Sequence, residues 1–231
     1  MKRLIQAQVL ADDLHKVVYI PNWADPSIIY PIEHVENPFI KQLGIEDKFL
    51  IQYSGNMGLA HDMETIIEAA RSLCAYESVK FLLIGGGGKL EMIKEMILRY
   101  KLQNIVLLPH QPRENLKNSL CASHISLISL EKRAQGVSVP SKLYGIMASG
   151  RPIIAIVPQD SEVAMTVKEY NCGIITPPKD VTALVKAIVW LKTHKEERTI
   201  MGEKAYKAFL NKFTVQRCAD QYYSLIRSTL K

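Results

Sequence analysis

The chain has 231 residues, of which 48% are hydrophobic and 23% charged, and carries a net charge of +6. That size and composition suit a soluble globular protein with one large domain or two small ones. They exclude a membrane-spanning helix, since no apolar run reaches roughly 18 residues, and the scattered basic charge excludes a nucleic-acid-binding arm while leaving an anionic ligand or an acidic membrane surface as partner.

Residues 1–16 are predicted to form a helix with Leu4, Val9, Leu10 and Leu14 on its apolar side. The opening Met1-Lys2-Arg3-Leu4-Ile5-Gln6 turns polar at once, unlike a signal peptide, so a cytoplasmic location is expected. A short strand at Val17–Ile20 stops at Pro21-Asn22. A long connector follows to residue 48, with Trp23 as its large anchor and at most a short helix near Pro38–Gly44.

From Phe49 an alternation sets in. Strands are predicted at Phe49–Tyr53, Lys80–Ile84, Ile105–Leu108, Ile125–Leu130 and Ile153–Val157, with a short one at Gly173–Ile175. Helices are predicted at Asp62–Ala75, Leu90–Lys101 (Ile93, Ile97 and Leu98 inward), Glu114–Cys121, Ser161–Tyr170, Val181–His194, Lys195–Leu210 and Val215–Leu230. Continuously apolar strands alternating with helices imply an α/β, Rossmann-like, three-layer domain with a mostly parallel sheet. The four cysteines (Cys74, Cys121, Cys172 and Cys218) lack metal-ligand spacing and read as reduced and mostly buried.

The most informative stretch is Gly136–Pro152, GVSVPSKLYGIMASGRP. Ser141 is positioned to cap a compact helix, Lys142 sits in its first turn, and Gly150 can end it in the left-handed conformation. A lysine in a first turn opposes the helix dipole, which favours anions there. It makes sense if helix and lysine face one anion, such as a phosphate; the competing reading is a solvated lysine. Every glycine cluster (Gly55 and Gly58, Gly85 to Gly88, the Gly136 region) falls at the carboxyl end of a predicted strand, where ligands bind in such sheets. That raises the phosphate reading.

A dinucleotide cofactor fails on spacing: G-x-G-x-x-G from Gly85 requires glycine at Leu90, and from Gly86 at Glu91. No P-loop is present. Ser138 and Ser141 lack a His–Asp partner pattern, which argues against a hydrolase triad. A nucleotide-sugar remains.

The phrase Tyr19-Ile20-Pro21-Asn22-Trp23-Ala24-Asp25 and the loop Tyr53-Ser54-Gly55-Asn56-Met57-Gly58 are followed in order by Leu83-Ile84-Gly85-Gly86-Gly87 and Pro140-Ser141-Lys142-Leu143-Tyr144. Met147-Ala148-Ser149-Gly150-Arg151-Pro152 and Asn171-Cys172-Gly173 complete the series. In this order and spacing, residues 17–231 resemble the C-terminal, donor-binding half of a family 4 glycosyltransferase of the GT-B fold, in the subgroup that transfers amino- and deoxy-sugars in surface polysaccharide assembly. The resemblance implies a connector region over 1–48 and a nucleotide-sugar-binding domain over 49–231, without the acceptor-binding half. It implies a retaining transferase that takes a UDP-type sugar donor, with no cofactor or metal. A separately encoded N-terminal half and the inner membrane face are its implied partners.

The resemblance assigns Gly55, Asn56, Gly58, Ser141, Lys142 and Arg133 to the donor diphosphate. It assigns Gly85, Gly86, Gly87, Pro109, His110, Gln111 and Gly145 to the nucleotide pocket, and His61 and Glu162 to the sugar end. Four positions depart from the family pattern. Val137 and Gly145 stand where many members have glutamates, and Asn56 and His61 stand where many have arginine and lysine. Hence the alternative that the chain is a non-catalytic nucleotide-sugar-binding module, or a relic, stays open, as does a nucleotide-sugar epimerase. Outside the site, Lys89 and Arg113 read as solvated helix starts, Tyr222-Tyr223 as packing, and His15, His34, His124 and His194 as incidental.

Overall fold

The computed structural model describes residues 8–132 and 141–230. Six parallel strands, β1 (Phe49–Asn56), β2 (Val79–Gly86), β3 (Ile105–Leu108), β4 (Ile125–Ser129), β5 (Ile153–Ile156) and β6 (Gly173–Thr176), form one sheet in the order β3-β2-β1-β4-β5-β6. The helices are α1 (Pro38–Leu43), α2 (Met63–Ser72), α3 (Leu90–Tyr100), α4 (Leu116–Leu120), α5 (Lys142–Ala148), α6 (Glu162–Tyr170), α7 (Val181–Thr193), α8 (Lys195–Lys212) and α9 (Val215–Thr229).

Both sheet faces are buried, which is why the strands read as continuous apolar runs. Ile51, Tyr53, Phe81, Leu83, Leu127, Ile154 and Ile156 pack with α2, α3 and α7 on one face. On the other face Ile128, Ile153 and Ala155 meet α5, α6 and α8, while Leu50, Leu82 and Ile84 meet Phe39 and Ile40 of α1. Side chains start several helices as their sequences require. Asp62 accepts from Thr65 N, Ser161 from Ala164 N and Asp180 from Ala183 N.

The strand order reverses direction between β1 and β4. These two strands pair only at Ile51–Ile125 and Gln52–Ser126. Beyond Gln52, β1 continues to Asn56 against β2 alone, and β4 continues to Ser129 against β5 alone. The strands therefore part at their carboxyl ends and leave a crevice, the place where ligands enter such sheets.

The sequence expectations need correction at several points. Within the described part of residues 1–16 there is only a 3₁₀ turn, Ala11–Lys16. Val17–Ile20 is not a strand, because β3 and β6 form the sheet edges and neither lies beside it. The connector is anchored by buried Ile29, Phe39, Ile40 and Ile45, while Trp23 lies half exposed with its ring edge toward Tyr222. Leu98 is 77% exposed, since its helix turns Ile93 to the core, with Leu90, Met92, Met96, Ile97 and Tyr100 packed beside it. The helix predicted at 114–121 divides into a 3₁₀ turn, Arg113–Asn115, and α4. Tyr222 packs against the Trp23 ring but stays exposed, and Tyr223 is exposed. Cys121, Cys172 and Cys218 are buried and Cys74 is exposed, all as free thiols.

His124 is not incidental. Its Nδ1 accepts from Leu50 N at 3.1 Å, and its ring stacks on Phe49 and lies 4.1 Å from the His34 ring. Burial, with His34, Arg198 and Arg151 nearby, lowers its pKa to about 3. An unfolded histidine takes its proton near pH 6.5. The folded state thus binds fewer protons between these values, and stability falls as pH drops through that window. From about pH 6.5 to about pH 4.5, the wild type should lose roughly 2–3 kcal/mol more unfolding free energy than His124→Asn. Urea melts of both proteins at the two pH values check this, and parallel losses would refute it.

Candidate functional site

A cavity of about 750 Å³ opens at the crevice. That is within the range that holds a drug-sized or nucleotide-sized ligand. Its wall includes Gly55 and Asn56 from the end of β1, His61 from the following loop, and Ser141, Lys142 and Gly145 from α5. These six predicted residues come together although 90 positions separate Gly55 from Gly145.

Lys142 is the central group. Its Nζ donates to the Tyr53 hydroxyl at 2.7 Å and lies 4.0 Å from the centre of that ring. The Tyr53 hydroxyl in turn donates to Asn56 O at 2.7 Å. Burial raises the phenol's pKa, so it stays neutral and its oxygen accepts the hydrogen bond from Lys142 Nζ. Among the described residues no carboxylate pairs with Lys142. Burial without a counter-charge lowers its pKa to about 7. An anion entering the cavity would supply the missing partner and hold the ammonium charged.

Lys89 has the opposite circumstances. It is 6% exposed, and its Nζ bonds Glu64 at 2.7 Å, Glu131 at 3.1 Å and His61 O at 2.7 Å. It is therefore a buried brace, not the solvated helix start that its sequence suggested. It ties the loop after β1 to the segment after β4, so its charge is spent on structure. Among the described residues, the contrast leaves Lys142 as a cation available to a ligand near the strand ends, with Arg113 on the connector side of the wall.

The Gly85 loop supports this arrangement from behind. Gly85 has φ +136°, and a Cβ there would collide with Gly55 O, so only glycine lets β1 and β2 approach this closely at their ends. His110 Cε1 lies 3.3 Å from the same point. The Asn56 side chain rests against Gly58 and Gly87. Gly86 bonds through its carbonyl to Met57 N. Gly58, Gly85, Gly86, Gly87, Pro109, His110 and Gln111 thus form the neighbouring strand ends rather than the cavity wall itself. Gln111 Nε2 donates to Pro109 O at 3.0 Å.

Some expectations move. Ser141 precedes α5 but its side chain makes no capping bond, because its backbone is already helical (φ −58°, ψ −24°). Gly150 does take the left-handed conformation, φ +66°. Glu162 lies outside the cavity wall, and its carboxylate accepts from the Tyr19 hydroxyl of the connector. Arg133 and Val137 lie outside the described residues.

Sequence reasoning missed the connector's share of the wall, Trp23, Asp25 and Ile29, together with Arg113, Leu116 and Leu120. Asp25 Oδ1 accepts from Ser27 N at 2.8 Å and Ser27 Oγ at 2.6 Å, which fixes the turn. Arg113 is a wall residue, not merely a solvated helix start. The signal was present in the phrase Trp23-Ala24-Asp25, but nothing in the sequence says that it folds over α4 and α5. A second depression of about 620 Å³ lies between residues 18–20 and α9, away from every strand end. Among the described residues no group of His, Cys, Asp or Glu is placed to hold a metal ion, and no helix is long and apolar enough to cross a membrane.

Residues 35–208 match the family model described as Glycosyl transferases group 1. The "Probable glycosyltransferase WbjE" of Pseudomonas aeruginosa is 29% identical over 188 residues, 81% of this chain and 46% of that protein. WcaI of Escherichia coli K12, provisionally named a colanic acid biosynthesis glycosyl transferase, is 28% identical over 226 residues, 91% of this chain and 54% of that protein. The chain thus spans about half the length of these curated relatives. Among solved structures, Anabaena Alr3699/HepE in complex with UDP and glucose superposes with a TM-score of 0.80 at 16% identity, over 97% of this chain and 59% of that one. At that identity the match establishes the fold.

The unpaired Lys142 yields a direct test. With lysines reductively ¹³C-methylated, the Lys142 signal should titrate near 7, and inorganic pyrophosphate should raise that midpoint by about one unit or more. A midpoint near 10 would mean a solvated ammonium.

Proposed function

The chain belongs to the glycosyl transferases group 1 family, and from that premise we propose that it is the donor-binding half of a retaining, family 4-type glycosyltransferase. It binds a UDP-sugar and passes the sugar to a glycan or lipid-linked acceptor in surface polysaccharide synthesis. The observation that carries this reading is Lys142, a half-buried amine without a carboxylate partner among the described residues, in a cavity between β1 and β4.

In the transfer, the bond between the sugar's anomeric carbon and the diphosphate oxygen breaks, and an acceptor hydroxyl oxygen bonds to that carbon and releases its proton. The departing UDP gains a full negative charge on its terminal phosphate. An ammonium already in place beside that oxygen stabilises the charge as it develops, without the reorganisation that water would require. Lys142 fits this task, and Tyr53 positions it. The reading requires no metal or other cofactor.

The acceptor side belongs to an N-terminal half. An exposed apolar stripe on α9, formed by Tyr222, Tyr223, Ile226 and Leu230, supports such a partner, with Tyr223 66% exposed. A cytoplasmic protein working at the inner membrane face accords with the net charge of +6.

A second reading, a non-catalytic nucleotide-sugar-binding module, is favoured by the neutral residues Asn56, His61 and Gly145 in the wall. Calorimetry with UDP, followed by a transfer assay with an added N-terminal half, separates the two. Binding with transfer supports the enzyme, binding without transfer supports the module, and no binding removes both. In the same experiment Lys142→Ala should weaken UDP binding by about 1–3 kcal/mol, the scale of a charge-assisted hydrogen bond. Unchanged affinity would return Lys142 to a solvated role. Tyr223→Ser with Ile226→Ser should reduce co-purification of the added half and leave UDP affinity unchanged; equal recovery would place the partner elsewhere.

A further inference from the structure

His61 differs in chemistry from the other polar groups of the cavity wall. It is 8% exposed, and its Nδ1 lies 2.7 Å from Ser129 O. A carbonyl oxygen only accepts, so Nδ1 carries the hydrogen and Nε2 keeps its lone pair in the neutral ring. Nε2 has no partner among the described residues and is not sealed in the interior, so it opens on the cavity.

The groups around the ring keep it neutral. Lys142 approaches from α5 and, among the described residues, has no carboxylate partner. Lys89, at the start of α3, bonds the His61 carbonyl and is balanced by Glu64 of α2 and by Glu131 after β4. Tyr53 of β1 presents its ring edge-on, centroids 6.1 Å apart. Asp62 is engaged with Thr65 and with Lys179 N. Burial, then the Lys142 charge, pushes the imidazole's proton affinity below the ordinary histidine range, against a partial opposing effect of the Ser129 bond.

A neutral nitrogen lone pair repels a phosphate oxygen and attracts a hydroxyl or amide hydrogen. We propose that His61 Nε2 accepts a hydrogen bond from a hydroxyl or amide N–H of the transferred sugar, beside the diphosphate contact at Lys142. His61 is thereby a specificity residue for the sugar, where many family members have a lysine. The proposal rests on the reading of this cavity as a nucleotide-sugar donor site. It also follows from the positions of the two groups. Lys142 leans on the end of β1 and takes the anion, while His61, held to the end of β4, reaches the same cavity with an acceptor.

The test is the ratio of UDP-sugar affinity to UDP affinity, measured by calorimetry at pH 8 with UDP, UDP-glucose and UDP-N-acetylglucosamine. His61→Asn retains an N–H for Ser129 O but withdraws the acceptor from the cavity. It should lower the ratio about tenfold for the preferred sugar, the loss of one buried hydrogen bond, and leave UDP affinity within about twofold. His61→Gln, whose longer amide again reaches the cavity with an acceptor, should restore much of the ratio, and thermal melts show whether both variants are folded. Equal losses for UDP and UDP-sugar would make His61 a diphosphate contact and overturn the proposal. Unchanged ratios in both variants would overturn it as well. If the wild type binds no UDP, the donor-site reading itself fails, a result distinct from either of these.

Discussion

The parting of β1 and β4 governs what this molecule can do. Both strands lie in a parallel sheet, and each keeps a full ladder on its outer side, with β2 and β5 respectively. Toward each other they share only two residue pairs. Beyond those pairs the two strands have no ladder to each other, and Gly55 and Asn56 at the end of β1 border the cavity. Backbone and side-chain polar groups at those ends must find other partners. Ser129 O finds His61, and Asn56 O finds the Tyr53 hydroxyl. The reversal of strand order thus both opens the crevice and recruits the residues that line it.

Two lysines near the crevice divide the electrostatic tasks. Lys89 has two carboxylates and a carbonyl, and a buried charge so satisfied holds segments together. Lys142 has a phenol and the face of its ring. A hydrogen bond donated to a neutral hydroxyl compensates a desolvated ammonium far less than one donated to a carboxylate, so burial lowers the Lys142 pKa to about 7. A site that is only partly charged when empty and fully charged when an anion is present binds anions with proton uptake. The same amine buried beside an acid would be charged at all times and unavailable to a ligand.

The alternation of apolar strands and helices was legible because a parallel sheet covered on both faces leaves no polar side to its strands. The clusters at Gly55 and at Gly85 marked the carboxyl ends of β1 and β2, where the close approach of Gly55 O leaves no room for a Cβ on Gly85. Lys142 was legible as an oddity in a first turn. What was not legible depended on tertiary partners. Glu162 looked like a site acid until Tyr19, 143 residues away, was found on it. Lys89 looked solvated because Glu64 and Glu131 are remote in sequence. The connector's anchor was read as Trp23 because the partners of Phe39 and Ile40, namely Leu50, Leu82 and Ile84, lie on the sheet and are remote in sequence. Val17–Ile20 has strand-forming residues but no sheet edge to join, so propensity yielded to context.

The departures from the family pattern form one set rather than four accidents. Relative to the residues common in the family, the chain exchanges two acids, at Val137 and Gly145, and two bases, at Asn56 and His61, for uncharged residues. Loss of the acids alone would leave uncompensated cations in a cavity lined by Ile28, Ile29, Leu116 and Leu120, a costly arrangement when empty. Loss of the bases alone would leave carboxylates facing the diphosphate. Among the described residues the wall keeps Lys142 as a half-buried cation without a carboxylate partner, with Arg113 and Asp25 of opposite sign at the connector side. A nearly neutral cavity grips a diphosphate less by charge and discriminates more by hydrogen-bond pattern, because each polar group in it that lacks a mate on the ligand costs more than it would in water. On the proposed reading of the cavity as a donor site, recognition shifts toward the sugar, with His61 in the wall as the group that would act in it.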